Sequence, residues 1–178
     1  MSELIKQTGY IPEEMMPQTQ EESLRLLKTY PKQYYRTLQV TEIKDVFSPI
    51  YPSIVIIKKT IGIMSARAII VQIITDVALF FNTGQNMNQD QVADLTEFIL
   101  SDYYYLNIAD LKLCFNNGKK GRYGKVFRVD GSIILEWLEK YTNDRLNAAD
   151  EESYKEHQST TGDRKLSGLE NLYKKFEK

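Results

Sequence analysis

Apolar residues recur three and four positions apart along most of this chain, and that spacing predicts helices. Thr19 suits the N-cap of a helix starting at Gln20, with Glu22 three residues on in capping-box fashion and Leu24 and Leu27 on the inner side. Pro31 interrupts it, and a second helix is expected over about Lys32 to Phe47. Pro49 and Pro52 mark a loop. Pro52 then fits the first turn of a helix running through Thr60, with Gly62 placed to end it. The run Ile54-Val55-Ile56-Ile57 also suits a short strand, but Lys58-Lys59 before Gly62 looks like a helix C-terminus, where cations meet the negative end of the dipole. From Ser65 to Asn82 apolar residues cover almost the whole circumference, as in a central, buried helix. Asp76 within it reads as a boundary or hydrogen-bonded carboxylate, because a bare buried charge is costly.

Three further helices carry strong start signals. Asn88 with Gln91 opens one that runs to about Tyr104, with Val92, Leu95, Phe98 and Ile99 as its apolar stripe. Its acidic face of Asp90, Asp94 and Glu97 is the kind that water normally covers. Asn107 with Asp110 opens the next, for which Asn117-Gly118 is the expected stop. Asp130 caps the last clear one, through Ile133, Ile134, Trp137, Leu138 and Tyr141. The fold class is therefore mainly α, a multi-helix domain with no repeat or heptad array. Its expected divisions are a loose leader (1–19), a helical domain (20–147), a charged linker (148–167) and an amphipathic C-terminal segment (168–178). In that last segment Leu169, Leu172, Tyr173 and Phe176 form a stripe too short to be stable alone, so it is expected to dock on the domain or on a partner protein.

Composition narrows the function classes. An apolar share of 42% supports a real core, and a net charge of −1 means that any attraction to polyanions must come from a local patch. Charged residues interrupt the apolar stretch from Ile54 to Phe81, so core helices are expected there rather than a membrane span. The N-terminus has no signal-peptide pattern, and a lone Cys114 rules out an internal disulfide framework and fits a reducing compartment; a soluble, cytoplasmic protein is expected.

Lys112, Lys119, Lys120, Arg122, Lys125 and Arg128 fall between Leu111 and Val129, with no acidic residue among them and with Gly118, Gly121 and Gly124 interspersed. Lysine and arginine neutralise phosphate charge, and Tyr123 or Phe127 would stack on an unpaired base. The expected nucleic-acid-binding residues are Lys119, Lys120, Arg122, Tyr123, Lys125 and Arg128. A purely structural reading stands beside it: the glycines permit an irregular connection, Tyr123, Val126 and Phe127 tuck beneath it, and the lysines keep it soluble. A P-loop does not fit, since Gly118 and Gly124 are too far apart and Val126, not Ser or Thr, follows Lys125.

Nothing in the sequence suggests a catalytic centre. His157, the one histidine, falls in the expected linker, and Cys114 lies among Leu113 and Phe115 as a packing residue. One His and one Cys make no zinc-ligand set, and neither a metal nor a small-molecule cofactor is expected. A nuclease using dispersed carboxylates and a divalent metal is the weaker alternative.

Asn86-Met87-Asn88-Gln89, Tyr104-Tyr105-Leu106, Asp110 to Phe115, Gly121 to Val126, Asp130-Gly131, Trp137-Leu138 and Tyr141 resemble an uncharacterised family of small helical proteins from bacterial prophages, phages and mobile elements, over about residues 86–145. In that family an aromatic residue and an Asp commonly precede the Arg after the tyrosine-glycine-lysine turn. Here Phe127 meets Arg128 directly, so the turn is one residue shorter. The resemblance implies a non-enzymatic accessory or adaptor in replication or maintenance of such an element, with DNA or a replication protein as partner. The rival expectation is a protein–protein or virion-associated component.

Overall fold

A computed structural model of the chain describes residues 5, 8–81, 87–126 and 129–176, with side chains to Lys155. Its α-helices, numbered in chain order, are α1 (Gln20–Thr29), α2 (Pro31–Thr37), α3 (Ile43–Val46), α4 (Ile54–Ile61), α5 (Ile63–Phe80), α6 (Gln89–Asp102), α7 (Ile108–Lys119) and α8 (Gly131–Phe176). No β-strand occurs among the described residues. Two units divide the chain, Met1–Tyr141 and Thr142–Lys178, and α8 begins in the first and makes up the second.

Local chemistry starts most of these helices. The Thr19 hydroxyl accepts from the Glu22 N–H at 3.2 Å, and the Glu22 carboxylate accepts from the Gln18 N–H at 2.8 Å. Both halves of the capping box form at Asn88/Gln91 and at Asn107/Asp110, and the Ile133 N–H donates to Asp130 at 3.1 Å. Helix α4 uses a different device. Ser53 gives no side-chain cap; instead the N–H groups of Ile54 and Val55 donate to the carbonyls of Leu106 and Tyr104 at 2.8 and 2.9 Å. Ile54–Ile57 is thus helical and pinned at its start to the loop before α7, and the strand alternative falls.

Three expectations need correction. The helix expected over Lys32–Phe47 is two helices, α2 and α3, with a break after Thr37. Leu38 and Val40 are both buried there, two residues apart, a spacing that suits extended chain and not helix. The leader is not loose where it is described: Ile5 and Ile11 belong to the core, and the Ile11 N–H donates to the Thr37 hydroxyl at 2.8 Å. Helix α7 does not stop at Asn117-Gly118. It ends in a Schellman motif, in which Gly121 (φ +73°) donates to the Gly118 carbonyl at 2.9 Å and Arg122 to the Asn117 carbonyl at 3.0 Å. Gly118 lies inside the helix, and a Cβ there would stand 2.6 Å from Trp137 Cδ2, so the residue is needed for close packing and not for stopping the helix.

Helix α5 buries Ala66, Ile69, Ile70, Ile73, Ile74, Val77 and Ala78, yet exposes Met64, Leu79 and Phe80. It is long and apolar enough to cross a membrane by length and composition. Its charges are all engaged with neighbouring helices: Arg67 pairs with Glu97 of α6, and Asp76 with Arg36 of α2. That is how a core helix is held, with one face uncovered. Each fully buried aliphatic side chain adds about 1.5–3 kcal/mol.

One polar network crosses this apolar interior. The fully buried Asp110 accepts from the Asn107 N–H at 2.8 Å and from the Tyr141 hydroxyl at 2.6 Å, while the Asn107 amide donates to the Val46 carbonyl at 2.8 Å. Helices α3, α7 and α8 are thereby tied at a single point.

Candidate nucleic-acid interface

Chain polarity builds the α7–α8 connection before any side chain enters. Gly121 and Gly124 both hold positive φ, at +73° and +121°, where a Cβ is strained. Gly124 donates to the Gly121 carbonyl at 3.1 Å, and Lys140 of α8 donates to the Tyr123 carbonyl at 3.1 Å. The loop is therefore a hydrogen-bonded coil fixed to both flanking helices.

Its aromatic residue is spoken for. Tyr123 is half-buried and its ring leans on Trp137, with centroids 6.5 Å apart. Val126 also packs against the core. Tyr123 and Val126 thus pack partly against the protein itself, as the structural reading expects of these two side chains. Phe127 and Arg128 lie outside the described residues.

The cations divide into two groups. Lys120, Arg122 and Lys125 are exposed on the loop, and Arg122 donates to the Asn117 side-chain oxygen at 3.1 Å. Lys119 is the last residue of α7 and points elsewhere, its ammonium 5.1 Å from the centre of the Phe80 ring. Among the described residues, none of these four cations has a carboxylate within ion-pairing distance.

Lys119 faces a set of charges that the sequence pattern does not reveal. Arg36 of α2 pairs with Asp76 of α5 at 2.8 Å, and Lys32 lies 3.7 Å from the same oxygen. Lys112 of α7 donates to the Arg36 carbonyl at 3.2 Å and stands 4.8 Å over the Tyr35 ring. Burial, reinforced by Lys119 and Arg36 and opposed by Asp76, pushes the Lys112 ammonium down to about 8. Burial also lowers Lys119. Only Lys112 and Lys119 stand out in sequence, because Lys32, Arg36 and Asp76 reach the cluster through folding. The one signal on offer was Asp76 itself, an acidic residue in an otherwise apolar helix.

Cys114 is fully buried, and burial pushes its thiol well above the usual range, the opposite of nucleophile activation. Among the described residues no group of three or more His, Cys, Asp and Glu side chains converges as a metal site. The stripe of Leu169, Leu172, Tyr173 and Phe176 falls where the backbone is helical and the side chains lie outside the described residues. Comparison with protein-family models, with curated proteins and with solved structures returns no match for this chain.

Proposed function

We propose that this protein is a non-enzymatic, cytoplasmic accessory protein of a phage or mobile element that contacts the phosphate backbone of nucleic acid, DNA foremost, through Lys120, Arg122 and Lys125. The observation that carries this reading is the exposure of three loop cations that have no carboxylate within ion-pairing distance among the described residues. Cations held apart from internal partners attract polyanions, and phosphate contact needs no base-specific geometry. The glycine-built coil keeps them on one rigid projection, which lowers the entropy lost on binding. A partner on the nucleic acid, such as a replication protein, would engage the C-terminal stripe of Leu169, Leu172, Tyr173 and Phe176 as a helix in a groove.

Fluorescence anisotropy of the full chain with labelled single-stranded and duplex oligonucleotides tests this. Replacing Lys120, Arg122 and Lys125 together by Ala is expected to weaken binding at least about tenfold, since each lost phosphate contact removes a charge-assisted bond. Circular dichroism should be unchanged, because all three side chains are exposed. Affinity within twofold of wild type contradicts the reading.

A second reading rests on a specific feature of α7. Lys119, Lys120 and Arg122 crowd its C-terminus, where cations complement the helix dipole without any ligand. On that reading the loop is structural and the protein is a protein–protein component. The exposed Met64, Leu79 and Phe80 of α5 favour it. It requires the triple variant to lose thermal stability and the wild-type chain to ignore oligonucleotides.

A further inference from the structure

We infer that the cations gathered by α2, α5 and α7 form a second phosphate-binding subsite, with Asp76 as a built-in counter-ion that orients Arg36 and limits affinity. This rests on the nucleic-acid reading above and names further residues that would take part in it.

Lys32 and Arg36 pair with one carboxylate, Asp76, and Lys112 and Lys119 lie near enough to feel its charge. A structural ion pair would need one or two of them. Asp76 engages Arg36 and Lys32 directly, which leaves Lys112 and Lys119 with no ion-pair partner among the described residues. Lys112 directs one of its N–H groups to a backbone carbonyl, and both ammonium groups sit over aromatic rings. Cation–π contact supports a positive charge but does not neutralise it. The cluster therefore holds surplus positive charge in partly desolvated surroundings, where attraction for an anion is stronger than in open water.

The geometry also lets a ligand in. The Lys32, Arg36 and Asp76 side chains keep 42%, 39% and 20% of their exposure, so the mouth of the cluster meets solvent. Arg36 presents a planar fork suited to phosphate oxygens, and Asp76 holds it in place at 2.8 Å. Lys112 and Lys119 lie two turns apart on α7, about 10 Å along its axis. Lys120 follows directly and leads into the loop. One helix thus joins the cluster to Lys120, Arg122 and Lys125, and a strand lying along α7 would meet cations at both stations.

Keeping Lys112 here is costly to the fold. Burial disfavours its charge, and Met would fill the same space without that penalty.

The test is oligonucleotide anisotropy on the full chain with Arg36→Gln, Lys112→Met and Asp76→Asn, each checked for fold by circular dichroism. Lys112→Met keeps an unbranched side chain of similar length while removing the ammonium that sits over Tyr35. Arg36→Gln and Lys112→Met are each expected to weaken binding about tenfold and to reduce the salt slope by about 0.7 on a single strand. Asp76→Asn is expected to tighten binding about threefold, because it removes the carboxylate paired within the cluster while keeping its shape. If wild type binds and the loop triple variant does not, but all three cluster variants stay within twofold, the subsite is wrong and the loop reading survives. If Asp76→Asn weakens binding, Asp76 is structural and the counter-ion role is wrong. Wild-type protein that binds no oligonucleotide overturns both.

Discussion

Burial lowers the Lys112 ammonium to about 8 from its ordinary 10.5, with Lys119 and Arg36 adding repulsion and Asp76 opposing it beside the Tyr35 ring. In the window between those values the unfolded chain keeps a proton that the folded chain has released. Stability therefore rises with pH across that window, and the penalty is full below it. Lys112→Met should raise the melting temperature at pH 7, and the gain should shrink toward zero by pH 10.5. Thermal melts of the two proteins at both pH values check this, because other titrating groups are common to both. Gly118 is the opposite case, a residue whose lack of a side chain matters. Gly118→Ala forces a methyl into the Trp137 ring and should cost at least about 2 kcal/mol, read as a lower urea midpoint at constant slope. The helix propensity of Ala, worth about 1 kcal/mol over Gly, is too small to offset that overlap.

Among the elements, the joint at Asp110 is the most exacting. Its carboxylate caps α7 and takes the Tyr141 hydroxyl of α8 inside the buried core. Tyr141→Phe keeps the ring and removes that charge-assisted bond, so a loss of about 1.5–3 kcal/mol is expected, measured by urea unfolding. The two ends of this joint differ in how far sequence reveals them. Asn88/Gln91 and Asn107/Asp110 are legible because a capping box is local, decided by residues three apart. The Tyr141 partner and the anchoring of Ile11 are set by segments far along the chain, and periodicity carries no trace of them. The role of Gly118 is hidden for the same reason. A glycine near a helix end normally signals a stop, and only the approach of Trp137 shows that it provides room.

At the scale of the whole molecule, a near-neutral chain leaves Lys112, Lys119, Lys120, Arg122 and Lys125 without an ion-pair partner among the described residues. Charge balance over 178 residues hides it, since Lys+Arg 23 and Asp+Glu 24 nearly cancel. The loop cations were legible as a run without acids, whereas Lys32, Arg36 and Asp76 join Lys112 and Lys119 only when α2, α5 and α7 pack together. The tail stripe of Leu169, Leu172, Tyr173 and Phe176 predicts a separate behaviour. Removing residues 166–178 should leave nucleic-acid affinity within twofold while abolishing capture of a partner protein in pull-downs.

The most direct measurement is the dissociation constant of the full chain for a single-stranded oligonucleotide at several salt concentrations, plotted as log against log. Engagement of the three loop cations and of Lys32, Arg36, Lys112 and Lys119 gives a slope of magnitude about 5, at roughly 0.7 per phosphate contacted. A slope near zero, or no binding at low salt, contradicts the account.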